Sequence, residues 1–544
     1  MKILTAAEMA DADQRSVEQG VPVAVLMENA GAAVARFCLR QFPGNGLVVA
    51  VCGKGNNGGD GFVAARHMAE AGRRMRVALL GAASDLKGDA ERAFYLAKLD
   101  RAGGEPSGVE VIEIADEDGL RAALKGAELI LDAVVGTGFK PPLRGLAVVA
   151  RDLLAKMNAP VVAVDLPSGW DADSMLLSAE GAFRADAVVT FVEPKLAHVF
   201  GHLTPGNTFG PVVVAPIGTP ESAIQSESGL RWAGAAKALT EAPRDINGNK
   251  GKFGHVLLVG GAFGKAGAPS MASLAAMRAG AGLVTAAVPR EILPIVAAVA
   301  PELMLTPLAT EGSGGLSLDV LDEHTLATLL KGISVVGIGP GLGQEGSTPE
   351  WVRTFVERVA LPMVIDADAL NALAGKTSLL KAATKSGKRT MVLTPHPGEM
   401  ARLVGMTVKQ VEADRVGLAR RFATEHGVTL VLKGWRTLIA HPDGSIGANT
   451  TGNPGMAKGG SGDILTGIVA AMLAQYGDES KSGDVARAVE AAVFLHGLAG
   501  DYATLAQDEH TVLATDTVNH LWQAFRARVT DADGLTWIAG TSAQ

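Results

Sequence analysis

The chain has 544 residues, more than one ordinary hydrophobic core can organise, so two large domains are expected. Its 48% hydrophobic and 19% charged residues are those of a globular protein, and a net charge of −8 with no basic stripe leaves no footprint for nucleic acid or an anionic membrane. Two cysteines, Cys38 and Cys52, rule out a disulfide framework and a cysteine-rich metal centre.

The N-terminal stretch "MKILTAAEMADADQRS" meets charge too early for a signal peptide, and no apolar run reaches the length of a membrane span. A soluble, cytoplasmic chain is therefore expected. Residues 1–40 read as helices ahead of the first strand. From residue 47 to about 218, the apolar runs "LVVAVCG", "RVALLG", "VEVIEI", "AELILDAVVG", "PVVAVDLPSG" and "AVVTFV" alternate with helical patterns. This alternation predicts a mainly parallel sheet covered on both faces. Residues 216–229 are polar and without apolar period, and read as a linker. A second series starts at "GKFGHVLLVGG" and runs through "GLVTAAV", "ISVVGIGPGLG", "PMVIDADAL", "TMVLTPHPGE" and "TLVLKGW". A hairpin at "TLIAHPDGSIGANT" and a long apolar helix from "GGSGDILTGIVAAMLAQY" follow. The expected organisation is α/β throughout, with two doubly wound domains at 1–215 and 230–525 and a C-terminal tail at 526–544, whose end "GTSAQ" is expected to fray.

Ligands of open α/β sheets bind beyond the carboxyl ends of the strands. Three such ends in the first half carry reactive groups: "GKGNNGGDG" (Asn56, Asn57, Asp60), "LDAVVGTG" (Asp132) and "VDLPSGWDAD" (Asp165, Ser168). Gly53, Gly55 and Gly58 satisfy the G-x-G-x-x-G dinucleotide fingerprint and let backbone N–H groups approach a pyrophosphate. A dehydrogenase fits poorly, because the acid that should hold the ribose is displaced: the nearest, Asp85, lies too far along. The oxygens of Asn57, Asp132 and Ser168 suit a hard cation. Asp165 is then left for proton transfer. The bland reading makes Asp60 a helix cap and Asp132 and Asp165 turn residues.

With "LMENAG" (residues 26–31) these motifs resemble the NAD(P)H-hydrate epimerase family. The resemblance implies a Rossmann-like three-layer domain. Asn56, Asn57, Gly58, Gly59, Asp60, Gly136, Thr137, Gly138, Phe139, Lys140, Pro141, Pro142 and Asp165 would contact the damaged cofactor. Asn57, Asp132 and Ser168 would hold a potassium ion. Phe139 and Trp170 stand where leucine is expected.

In the second half, Gly459, Gly460 and Gly462 precede an apolar helix, so free N–H groups and the helix dipole converge on one spot suited to a transferring phosphoryl group. Asp463, in the first turn, is either a dipole cap or the base that activates a substrate hydroxyl. No Walker A sequence occurs in this half. Together with "VIDADALN", "TPHPGE" and "KGWRT", the pattern resembles the ribokinase-like superfamily, and within it the ADP-dependent NAD(P)H-hydrate dehydratase family. The resemblance implies that Lys433, Gly434, Trp435, Arg436, Thr437 and Gly462 contact the nucleotide, and that Ala268, Gly341, His396 and Asp463 contact the hydrate. Asn249 stands where histidine is expected.

The expectation is a bifunctional enzyme that repairs hydrated NADH or NADPH. One domain would epimerise the R and S hydrates, with Asp165 as acid/base. The other would dehydrate the S-epimer at the expense of ADP, with Mg²⁺ on the phosphates and Asp463 as base. The apolar helix "MASLAAMRAGAGL" suggests a homo-oligomer. Two alternatives stay open: a vitamin or sugar kinase with an accessory domain, and a non-catalytic dinucleotide-binding N-terminal module.

Overall fold

The computed structural model describes residues 1–99, 107–384, 389–478 and 483–541. It divides into two units, Met1–Ser228 with Val529–Gln544, and Gly229–Arg528.

In the first unit, apolar runs form strands β1 (Leu47–Cys52), β2 (Arg74–Leu80), β3 (Val109–Ile114), β4 (Ala127–Ala133), β5 (Val161–Val164), β6 (Ala187–Phe191) and β7 (Val212–Ala215). They lie in the order β3-β2-β1-β4-β5-β6-β7, all parallel. Two-residue periodicity gives each strand two buried faces. Val48, Ala50 and Cys52 of β1 pack with Phe37 and Phe62, from the helices Val23–Gln41 and Asn56–Glu70. Val49 and Val51 face Leu120, Leu124 and Leu154, from the helices Glu117–Leu124 and Leu146–Leu154. The strand order reverses between β1 and β4, which puts a crevice beyond their carboxyl ends.

The second unit repeats this logic with β8 (Leu230–Trp232), β9 (His255–Val259), β10 (Leu283–Pro289), β11 (Met304–Leu308), β12 (Val335–Ile338), β13 (Met363–Ile365), β14 (Met391–Leu393), β15 (Thr429–Leu432), β16 (Leu438–Ala440) and β17 (Ile446–Ala448). Their order is β11-β10-β9-β12-β13-β14-β15-β16-β17-β8. β11 to β15 are parallel neighbours, and β15, β16 and β17 pair antiparallel, forming the expected hairpin. Here the reversal falls between β9 and β12. The helix Ser461–Tyr476, buried from Ile464 to Leu473, packs on β9, β12 and β13.

The predicted C-terminal tail, 526–544, carries a strand that the sequence reading did not see. The strand β18 (Thr536–Ala539) pairs antiparallel with β7 and closes the first sheet's edge. Trp537 is 4% exposed and packs against Phe37, and Asp531 accepts hydrogen bonds from Trp537 Nε1 and Arg40. Burial of a large aromatic, invisible to a reading that stopped at polar composition, fixes this segment. The last part of the predicted tail, 542–544, lies outside the described residues. The predicted linker also divides: 216–228 groups with the first unit and Gly229 begins the second.

Candidate active sites

In the first unit, the ends of β1, β4 and β5 stand side by side and bring the three predicted loops to one sheet edge. The helix after β1 begins at Asn56, so Asp60 lies inside it and cannot be the cap that the bland reading made it. Two of the fingerprint glycines also have a packing duty. A Cβ on Gly53 would lie 2.0 Å from the Val134 carbonyl oxygen, and one on Gly58 would lie 2.0 Å from that of Gly53. These glycines let the β1 loop pack against the β4 end and fold onto itself. Gly136 fills a third tight space: its Cβ would lie 3.0 Å from Asp165 Oδ2 and 3.1 Å from Asn57 Oδ1.

Asp165 is the centre of this edge, 7% exposed and held at φ +66°. A non-glycine residue in the left-handed region is a strained choice that often marks a functional position. Its carboxylate is not free, as the sequence reading had it. Oδ2 accepts from Thr137 N (2.9 Å) and the Thr137 hydroxyl, and Oδ1 accepts from Thr190 Oγ1 (2.8 Å) and Lys195 Nζ (3.1 Å). Burial pushes the group up, but the Lys195 charge and these hydrogen bonds outweigh it and hold the carboxyl well below the usual range. His198 Nδ1 accepts from the Lys195 N–H (3.0 Å), so Nε2 carries the proton it donates to the Asp165 carbonyl (2.7 Å). Burial and the neighbouring Lys195 push that imidazole down to about 4. Asp60 behaves oppositely to Asp165: burial and the charges of Asp165 and Asp13 raise its carboxyl well above the usual value. Burial also pushes Asp13 up to about 6.

Thr190, Lys195, His198 and Asp13 were missed by the sequence reading. The signal was present in "FVEPKLAH", a lysine just past a strand end on the same sheet edge.

The three residues expected to hold potassium divide into a tight pair and a neighbour. Asp132 is fully buried, and accepts from Ser168 N (2.7 Å) and Ser168 Oγ (2.6 Å). Asn57 is 8% exposed, and its Nδ2 is without a hydrogen-bond partner among the described residues. Burial pushes Asp132 up to about 6 despite its hydrogen bonds. The Asp132 carboxylate, under-compensated in burial, and the oxygens of Asn57 and Ser168 make an all-oxygen set that fits a hard monovalent cation. In the predicted loop 136–142, Phe139 N donates to Gly136 O (3.0 Å), and exposed Lys140 bridges Asp171 (2.7 Å) and Asp173 (2.8 Å). Trp170, 4% exposed, packs close to Gly201.

In the second unit a cavity of about 690 Å³ gathers His396, Lys433, Gly434, Trp435, Arg436, Thr437, Gly462 and Asp463, eight of the predicted residues. Ala268 and Gly341 are not on its wall. They adjoin each other past β9 and β12, at the strand-order reversal, where a Cβ on Gly341 would lie 3.0 Å from that of Ala268. The same loops meet Asp368: its Oδ2 accepts from Gly343 N (2.7 Å) and lies 3.6 Å from Lys265 Nζ. Asn249 caps a short turn through its bond from Gly251 N (3.1 Å).

The sequence reading missed two carboxylates that the cavity adds, Asp366 and Glu399. Asp366, 1% exposed, accepts from Thr466 Oγ1 (2.7 Å) and from Lys433 Nζ (3.1 Å), which also lies 3.8 Å from Glu399. Burial lowers the Lys433 ammonium, but these two carboxylates raise it further, so it stays charged. A Cβ on Gly462 would approach Lys433 Nζ to 3.2 Å, so glycine here keeps the ammonium beside the helix N-terminus. Asp463 stands in that helix's first turn. Burial and the charges of Asp366, Asp368 and Glu399, only partly offset by Lys433, push its carboxyl up to about 7. That value is suited to a general base at neutral pH. His396 Nδ1 caps the helix Pro397–Val404 by accepting from Gly398 N (3.0 Å) and Glu399 N (3.3 Å), and its Nε2 lies 3.5 Å from Glu399 Oε1 on the cavity wall. Arg436, at φ +51°, stacks over Trp435 at 4.2 Å and donates to the Thr450 carbonyl (2.6 Å). No helix among the described residues is long and apolar enough to cross a membrane.

Comparison with known proteins assigns both halves. Residues 256–524 match the NAD(P)H-hydrate dehydratase family model, and residues 23–197 match the model for the N-terminus of YjeF-related proteins. The bifunctional NAD(P)H-hydrate repair enzyme Nnr of Moorella thermoacetica is 41% identical over 96% of this chain and 96% of its own length. Its counterpart in Pyrobaculum aerophilum is 38% identical over 97% and 98%. Among solved structures, the ADP/ATP-dependent NAD(P)H-hydrate dehydratase of Bacillus subtilis, co-crystallised with ATP and Mg²⁺, is 29% identical, covering 56% of this chain and 99% of that one with a TM-score of 0.45. The chain belongs to the bifunctional NAD(P)H-hydrate repair enzyme family.

Proposed function

We propose that the chain repairs NADH and NADPH hydrated at the nicotinamide ring, epimerising the hydrates in the first unit and dehydrating the S-epimer with ADP in the second. The observation that supports this best is the place of Asp463: beside a glycine-led helix N-terminus and a charged lysine, with its carboxyl raised to about 7.

In the dehydratase reaction, Asp463 takes the proton of the 6-hydroxyl, whose oxygen attacks the terminal phosphorus of ADP. The O–P bond to AMP breaks while the N–H groups at the helix start and Lys433 hold the phosphate oxygens. The ring-nitrogen lone pair then expels phosphate, and loss of the C5 proton restores the double bond. The products are the reduced cofactor, AMP and phosphate. Among the described residues no group of three or more metal-ligating acidic, histidine or cysteine side chains is assembled. Mg²⁺ carried on the nucleotide phosphates would find Asp366 and Glu399 as the nearby carboxylates and would neutralise charge there.

In the epimerase reaction, the hydroxyl leaves C6 with a proton, the ring nitrogen stabilises the cation that forms, and water returns on the other face. Protonated Asp60 supplies the leaving proton, and ionised Asp165 stabilises the cationic ring and accepts the proton of the returning water. These are two carboxylates with environments that push them apart. Asn57, Asp132 and Ser168 would hold the potassium ion, which would supply a fixed positive charge. The test mixes the full chain with ADP, Mg²⁺ and both hydrate epimers and follows dihydronicotinamide absorbance. Complete recovery supports the reading. Recovery that stops with one epimer left removes the epimerase, and a stable phosphorylated product without phosphate release points to a kinase instead.

A further inference from the structure

The run Asp366-Ala367-Asp368 follows β13 and sends its two carboxylates to different partners. Asp366 serves the cavity of the second unit, where it accepts from Thr466 Oγ1 and Lys433 Nζ. Asp368 is not on that wall. Between them Ala367 holds φ +49°, a left-handed backbone that a residue other than glycine keeps only where its surroundings demand it. The partners of Asp368 are the two loops at the strand-order reversal. From the loop after β12, Gly343 N donates to Oδ2 (2.7 Å) and Gln344 Nε2 donates to the Asp368 carbonyl (2.8 Å). From the loop after β9, Lys265 Nζ lies 3.6 Å from the same Oδ2.

The two loops are joined at their base by Gly261 N, which donates to the Pro340 carbonyl (2.8 Å). Beyond that bond Gly341, at φ +66°, fits so closely that a Cβ there would lie 3.0 Å from both the Lys265 carbonyl oxygen and Ala268 Cβ. Gly341 therefore sits between the base bond at Pro340 and the tie at Gly343, and its place depends on both. A carboxylate that accepts from a backbone N–H and faces an ammonium is a stronger tie than a neutral bond, and at 20% exposure this one is partly shielded from water. We propose that Asp368 is a positioning residue of the dehydratase, clasping the loops 260–266 and 339–346 so that Ala268 and Gly341 present a fixed surface to the hydrate. This assignment rests on the dehydratase reading of the second unit.

The test measures KM for the S hydrate and the affinity for ADP in the full chain and its variants, at about pH 9, where the Asp463 base is ionised throughout. Asp368→Ala cuts both side-chain ties and should raise KM for the hydrate more than about 10-fold, with ADP affinity unchanged. Asp368→Asn keeps an oxygen for Gly343 N and loses only the ion pair, and Lys265→Met loses the same ion pair from the other side. Each should raise KM about threefold, and the double variant should be no worse than either. An unchanged hydrate KM in Asp368→Ala, or an equal loss of ADP affinity, would overturn the assignment. Where Asp368→Ala does not fold, the other three variants decide: a double variant whose defect is the product of the two single ones, or single variants without effect, would overturn it. A wild type that binds ADP and leaves the hydrate untouched would fail the dehydratase reading itself, and this assignment with it.

Discussion

The two units use the same topology and the same sheet edge, yet they treat their central carboxylates in opposite ways. Asp165 is encircled by Thr137, Thr190 and Lys195, and is held ionised far below neutrality. Asp463 stands among Asp366, Asp368 and Glu399 and is raised to about 7. In both units a lysine meets a buried carboxylate, Lys195 with Asp165 and Lys433 with Asp366. In the first that carboxylate is the central one; in the second the lysine's partner is the neighbour, and the base is left to the acidic field. A strand-end aspartate thus rests ionised well below neutral pH or titrates near neutrality according to which side chain the local cation pairs with.

The change expected to break this comparison most severely is Asp463→Asn. It should lower dehydratase turnover by about 10²–10⁴-fold, with nucleotide still bound and epimerisation unchanged. Single-turnover absorbance recovery checks it, and an active variant would remove the base assignment. Next in size is Lys195→Met, which strips the partner from a buried charge. It should destabilise the first unit by about 3–5 kcal/mol, read by denaturant unfolding, and raise the Asp165 carboxyl toward neutrality. An unaltered unfolding midpoint would show that Asp165 has other sufficient support. The smallest effect is expected at Lys140→Ala, whose exposed bridge to Asp171 and Asp173 should contribute under about 1 kcal/mol to stability. A larger loss would mean that this loop carries more of the first unit's stability than its exposed ion pairs suggest.

Much of this architecture was legible in the sequence. Strand–helix alternation, the polar strand-end loops and the glycine-led apolar helix all follow from local periodicity and composition. What was not legible depended on pairing across distance. Thr190, Lys195 and His198 meet Asp165 only because β5 and β6 are sheet neighbours. Lys433 was read as a nucleotide contact from its place in "KGWRT", but its pairing with Asp366 and Glu399 needs β13, β14 and β15 side by side. The strand Thr536–Ala539 escaped for the same reason, since its partner β7 is remote in the chain. The G-x-G-x-x-G match was real as a turn signal, while the close packing at Gly53 and Gly58 gives two of its glycines an architectural duty.

The most direct test compares the pH dependence of kcat/KM for both reactions on one preparation. Loss of the Asp463 base on protonation predicts that dehydratase activity falls about tenfold per pH unit below about 7. Asp165 stays ionised throughout that range, so the acid limb of the epimerase should lie at least about one pH unit lower. Coincident acid limbs, or an epimerase that fails first on acidification, would contradict the opposite tuning of the two carboxylates.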